Sequence, residues 1–467
     1  MKLSESARAA RLVFDDPNLV SHAGLVPVMA LAEQCDLAGI MDERVRLPGH
    51  YGARAGDKVA TMVAGMLAGA DSFDDLDVLR HGGMGSLFTR VYAPSTLGEF
   101  SRAFTHGHVS QLRSGAREFL VRLAQRVVLL PGRAPVVFID ADSMLRPVYG
   151  KKKRGASYGH AKVSGRRVLR RGLSPMIATI STPDVAPVIG ASMLRAGKAS
   201  PTRGAAIITE AIGTARAMLA AQHTTPSVIV VRADSAFYNR KVIHACIRAG
   251  VRFSVTARAD SALRKAIALI NDDAWADVTY AQPVWDDHEQ RFITTAQVAE
   301  IAYTAFATRE PITARLIVRR VPRLIPTTPA GQPELFPTWR YHAVFTDSPF
   351  VMVQAEEQHR DHAIIEQTNA ELINGPLAHL PSGSFDANNA WLTIAAIAHN
   401  LTRATATLAG GRFAKARTAT IRHRLIAVPG RLARHARALT LHLPQHWPWQ
   451  HAHEQLLTRL HAPPRPT

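Results

Sequence analysis

Val136-Val-Phe-Ile-Asp-Ala-Asp-Ser143 is the stretch on which the fold turns. Its first four residues are a β-rich apolar run, bounded by Pro135 and Asp140. That is too short for a helix and suited to a buried strand. Asp140 and Asp142 stand at i and i+2, so a strand points them to one face. In open α/β sheets, chemistry collects beyond the carboxyl ends of the strands.

The residues that follow repeat the theme. Residues 165–169 read as strand or loop, and 174–180 and 185–194 read as strands, with Pro187 confining the last to an edge. Residues 202–222 are Ala-rich with helical spacing of Ile208, Ile212, Ala215 and Leu219. A buried strand over 228–231, a helix over 239–249 closed by Gly250, and a strand over 251–255 complete the series. The order is strand, strands, helix, strand, helix, strand, which makes residues 131–257 the first part of an α/β core. Residues 258–358 break the rhythm with short alternating segments at 313–319 and 340–345 and a Pro-rich loop at 322–338. They read as a mostly β insertion. Helix resumes near Arg360, giving core helices over 359–410 and a basic helical tail over 411–467. Upstream, residues 1–130 read as helical. Ser72-Phe-Asp-Asp75 and Thr96-Leu-Gly-Glu99 look like capping boxes. These helices suit either a helix-turn-helix-like DNA reader or a plain bundle.

Charge narrows the partner. Of 467 residues, 56 are Lys or Arg and 37 are Asp or Glu, a net charge of +19 that points to a polyanion. With 47% hydrophobic and 20% charged residues, the chain is not of disordered type. Its two cysteines, Cys35 and Cys246, exclude a disulfide scaffold or Cys-rich metal site. No apolar run reaches the roughly 18 residues of a membrane span, and the charged N-terminus does not read as a signal peptide, so the expected location is cytoplasmic, without a membrane partner. No acid occurs between Asp142 and Asp184. That block carries Lys151, Lys152, Lys153, Arg154, Lys162, Arg166 and Arg167, which suit phosphate contact. A second acid-free block runs over 387–453.

Asp234 ends the 228–231 strand, and Glu366 lies on the edge of the apolar stripe of a helix over 362–373. With Asp140 and Asp142 they offer hard oxygen ligands for Mg²⁺ or Mn²⁺. Two such ions roughly 3.5–4 Å apart serve phosphodiester cleavage by activating the attacking oxygen and stabilising the leaving one.

In combination, Phe138-Ile-Asp-Ala-Asp-Ser143, Tyr149-Gly-Lys-Lys-Lys-Arg-Gly155, Arg232-Ala-Asp-Ser-Ala-Phe-Tyr238, His359-Arg-Asp-His-Ala-Ile-Ile-Glu366 and the 380–392 segment resemble the DDE transposases of bacterial insertion sequences, in the insertion sequence thirteen-eighty group. The resemblance covers about residues 24–403. It implies a ribonuclease-H-like mixed-sheet core, a β insertion before the last catalytic helix, and a helical N-terminal region that binds DNA ends. It implies Asp142, Asp234 and Glu366 as the catalytic and metal-binding acids. Asp142, followed by Ser143, fits the first position better than Asp140, which stays as a neighbouring ligand. The implied activity is cut-and-paste transposition. Two metal ions per site would support hydrolysis at terminal inverted repeats and then strand transfer into target DNA. A homodimer on double-stranded DNA follows from the need to cut two ends together. Related chains carry a Tyr and an Arg shortly before the Glu and a Lys seven residues after it. Here Arg360 precedes Glu366, and Ile373 fills the Lys position. Arg360 and Arg240 are thus DNA-contact candidates, and Trp275, Trp285 and Trp339 are candidates for holding a flipped base. Two rival readings are a catalytically inactive DNA-binding descendant and a nuclease on the same core.

Overall fold

The computed structural model describes residues 1–150, 152–163, 166–198, 204–286, 291–308, 310–322, 339–435 and 438–462, without the side chains of 161–167, 281–282, 284–290 and 438. Its centre is an 11-stranded mixed sheet among the described residues. From one edge the core strands run Val188–Ala196, Arg166–Ser181, Val136–Ser143, Val228–Ala233 and Arg252–Thr256. Among the first three, the middle strand runs antiparallel to both its neighbours, and the last two lie parallel to Val136–Ser143. Parallel neighbours need crossovers, and the helices Gly204–Ala221 and Arg240–Arg248 supply them. This is the ribonuclease-H-like arrangement expected. The ambiguous 165–169 stretch is strand from Arg166 on, continuous with the expected 174–180 strand, and residue 165 lies outside the described residues. Its outer half pairs with Ser157–Val163 as a hairpin.

The β insertion continues the core sheet. Trp339–Thr346 pairs antiparallel with Arg252–Thr256, followed by Ile312–Pro322, Arg291–Ala305 and Ala276–Asp286. Most of the expected Pro-rich loop lies outside the described residues.

The sheet edge is closed by a helix. Phe385–Ala409 is buried along almost its whole length and packs against Val188–Ala196, the N-terminal helices Ala55–Ala68 and His106–Arg126, and the C-terminal helix Gln450–His461. An edge strand carries backbone groups without a ladder partner. Here amide side chains satisfy some of them. Asn400 accepts from Ile189 N at 2.7 Å and donates to Ile189 O at 2.9 Å, while Asn389 accepts from Leu194 N at 3.1 Å. One hydrophobic cluster runs from Val20 to Leu460, so the N-terminal helices share the core of the sheet. Gly204–Ala221, the one described helix long and apolar enough to cross a membrane, packs between this sheet and its flanking helices.

Three local expectations differ from the structure. The helix near Thr96 begins at Pro94, because Pro fits the first helical turn, where its missing N–H costs nothing. A helix, Met352–Arg360, precedes the one that carries Glu366. The tail is not wholly helical: Gly430–His435 and Ala438–His442 form a hairpin whose first strand pairs with Leu19–Val20. A distant partner strand decides that conformation.

Asn400→Ala should destabilise the protein by about 2–4 kcal/mol, since two buried backbone groups lose their partner. Urea unfolding of the variant against wild type measures it.

Candidate active site

Asp140 and Arg232 are directly paired in the parallel register of their strands. Both are buried, and Arg232 Nε and Nη2 donate to the two Asp140 oxygens at 2.6 and 2.7 Å. The guanidinium lies 3.8 Å over the Phe138 ring, and Nη1 donates to Gln358 O at 2.6 Å. Two residues further along each strand, on the same face, come Asp142 and Asp234. Asp140, grouped with the ligands at the outset, is therefore set apart from them: both its oxygens are taken by a cation.

Asp142 faces the opposite situation. Desolvation, then the negative charges of Asp234 and Glu366, push its carboxyl up to about 7, against hydrogen bonds from Ser143 N and Asn369 that pull it down. Asn369 Nδ2 donates to Asp142 Oδ2 at 2.7 Å, and Ser143 N donates to Oδ1 at 2.6 Å. Asp234 caps the 3₁₀ turn Ser235–Phe237, accepting from Ala236 N at 3.0 Å. Glu366 lies exposed in the first turn of the helix Ile364–Ile373, which packs on the Asp142 strand. Asn369, one helical turn on from Glu366, is the site residue that the sequence reading missed. Its only signal was a polar residue beside the apolar stripe.

The helix is held at both ends. His359, fully buried, bonds Ser254 Oγ at 2.9 Å and Thr256 Oγ1 at 3.0 Å. Burial first, then the nearby positive groups, hold its pKa well below the usual range, so it is a neutral anchor. At the other end Glu371 pairs with Arg403 at 3.2 Å, and Arg403 donates to Ala416 O at 2.6 Å. Asp234 and Glu366, from distant segments, thus both bear on Asp142 at the sheet end. Among the described residues, no group of three or more His, Cys, Asp or Glu side chains is drawn together tightly enough to enclose a metal ion.

Several expected DNA contacts have other partners. Arg360 donates to both Glu356 oxygens at 2.9 and 3.0 Å and lies 4.3 Å over the Tyr280 ring. Arg240 pairs with Glu310 at 3.0 Å, and Lys153 donates to Leu380 O and Ser382 O at 2.6 and 2.9 Å. Trp275 and Trp339 flank the Arg320 guanidinium at 4.1 and 4.4 Å, so a cation already occupies a face of each. Lys152 and Arg154 are exposed. Lys151, and the side chains of Lys162, Arg166, Arg167 and Trp285, lie outside the described residues.

A cleft of about 1110 Å³ opens where the chain leaves the elements that carry Asp142 and Glu366. Arg80, Arg102, Arg146, Tyr149 and His379 line it with Asp74 and Asp77, and Asp77 pairs with Arg80 at 2.7 Å. Arg146 Nη2 donates to Ala378 O at 2.8 Å while its buried Nε has no partner, and Tyr149 is exposed. The helix Pro94–Arg102 directs an N-terminus without a side-chain cap at this cleft, a favourable setting for an anion.

The family described as "Transposase DDE domain group 1" matches residues 4–464. No curated protein matches the chain.

The two aspartates should respond in opposite directions. Asp140→Ala leaves Arg232 buried without its counter-charge and should cost about 3–5 kcal/mol. Asp142 binds its proton more tightly folded, at about 7, than at the ordinary 3.8. The folded state therefore holds more protons between those values, and this group's contribution falls as pH rises through about 7. Asp142→Asn should raise the melting temperature of the cation-free protein at pH 8, with the gain fading toward pH 5. Calorimetry at both pH values checks the pair.

Proposed function

The chain belongs to the transposase DDE domain family, and from that premise we propose that it is a cut-and-paste DNA transposase of the insertion sequence thirteen-eighty group, with Asp142, Asp234 and Glu366 as its catalytic acids. The observation that carries the reading is the setting of Asp142: it is desolvated and lies within electrostatic reach of Asp234 and Glu366, whose charges raise its proton affinity. Three carboxylates that repel one another at a strand end fit a set of hard oxygen donors for Mg²⁺ or Mn²⁺. Bound there, the ions would activate an attacking oxygen and stabilise the leaving one.

The chain's own residues prepare this chemistry. Asp140 and Arg232 hold the two strands in register and cancel each other's charge behind the acids. His359 and Arg403 fix the two ends of the region that brings Glu366 to the sheet. In the reaction, a water oxygen attacks a phosphodiester at a transposon end, and the 3′-oxygen leaves with a proton. The freed 3′-hydroxyl then attacks a target phosphodiester and displaces its 3′-oxygen. The side of the cleft lined by Arg102 and Arg146 suits the phosphates of the bound strand. The exposed Lys152, Arg154 and Arg170 add to that basic surface. Because two ends must be cut together, the active species is a homodimer on DNA.

The test uses purified protein, a duplex carrying the sequence that flanks its gene, and Mg²⁺ or Mn²⁺. Strand-specific nicking followed by joined products supports the reading. Binding without cleavage would identify a DNA-binding descendant, and cleavage without joining a nuclease. Asp142→Ala, Asp234→Ala and Glu366→Ala should each retain DNA binding and lose cleavage by more than the about 100-fold typical of a lost supporting partner at a metal site. Arg102→Ala should weaken DNA binding and reduce its salt dependence by about one phosphate contact. Fluorescence anisotropy at several salt concentrations reads this out.

A further inference from the structure

We propose that Asn369 is a fourth oxygen ligand of the carboxylate site, acting through Oδ1. The proposal rests on the reading above, in which Asp142, Asp234 and Glu366 hold a divalent cation.

Asn369 is 7% exposed. Its Nδ2 is committed to Asp142 Oδ2 at 2.7 Å, while its Oδ1 is buried and has no hydrogen-bond partner. Turning the amide over gives no relief, because two acceptors would then face each other across the same contact. A buried acceptor without a donor destabilises a fold, and such atoms in natural proteins mark a water, an ion or a functional role. A leucine of similar size would fill the space without that cost.

The position says which role. Asn369 lies three residues after Glu366 on one helix, so the two share a face. The amide is planar, so anchoring Nδ2 on Asp142 also fixes the direction of Oδ1. Hard cations accept Asn side-chain oxygens together with carboxylates. A neutral fourth ligand adds coordination without adding a fourth negative charge to three that already repel. It also explains why an amide, rather than another acid, stands beside Asp142.

Mn²⁺ binding to the full chain, followed by electron paramagnetic resonance, tests this without reference to catalysis. Asn369→Leu should bind Mn²⁺ about tenfold more weakly or worse, while its melting temperature without cation does not fall. Asn369→Asp still offers an oxygen but no N–H, and should bind within a few-fold of wild type. Wild-type affinity in the Leu variant would overturn the ligand role. So would equal weakness of the Asp and Leu variants, which would reduce Asn369 to a support for Asp142. If wild type binds no Mn²⁺, or Asp142→Asn binds as well as wild type, the carboxylate reading itself fails. The two failures are therefore distinguishable.

Discussion

A single buried ion pair, Asp140 with Arg232, sets the geometry at the end of the sheet. Removing two charges from water is costly, and attraction repays it only when geometry and hydrogen bonding are nearly complete. Here both carboxylate oxygens are bonded, the guanidinium rests on Phe138, and its remaining donor group reaches a backbone carbonyl. The pair can form only if Val136–Ser143 and Val228–Ala233 lie in parallel at this register. A slip of one residue would turn every side chain to the opposite face. With the register fixed, the next positions on that face are Asp142 and Asp234. The contact to Gln358 ties in the chain that leads to Glu366.

Two aspartates on one strand face thus have opposite electrostatic lives. Asp140 has a cation against it and is a structural charge. Asp142 has two anions near it and holds its proton up to about 7. Residue type and strand position are the same for both. The difference comes from what distant segments bring to each. Paired and unpaired carboxylates of this kind are how a fold separates support from chemistry.

The net charge of +19 also changes meaning. Ion pairs leave that excess unchanged, since each sets one cation against one acid, but they decide which cations are taken. Arg403 holds Glu371, Arg360 holds Glu356, and Arg320 sits between two indoles. These cations stiffen the helices around Glu366 and the insertion strands. The excess of +19 therefore falls on other cations, and Arg102 and Arg146 among them line the cleft.

The sequence by itself determined the core strands, their crossover helices and the acids at their ends. Those features rest on local periodicity and on the rule that strand ends carry chemistry, both readable along the chain. It preferred Asp142 to Asp140 on the family resemblance alone and kept both as ligands, because Arg232 meets Asp140 only through strand pairing. It marked Arg360, Arg240 and Lys153 as DNA-contact candidates, because a guanidinium or ammonium in sequence shows no partner until Glu356, Glu310 and the carbonyls of Leu380 and Ser382 arrive. It read the tail as helix, since the partner of the 430–435 strand lies at residues 19–20. Asn369 was silent for the same reason. Pairing, burial and the neighbourhood of like charges are long-range quantities, and only the tertiary structure decided them.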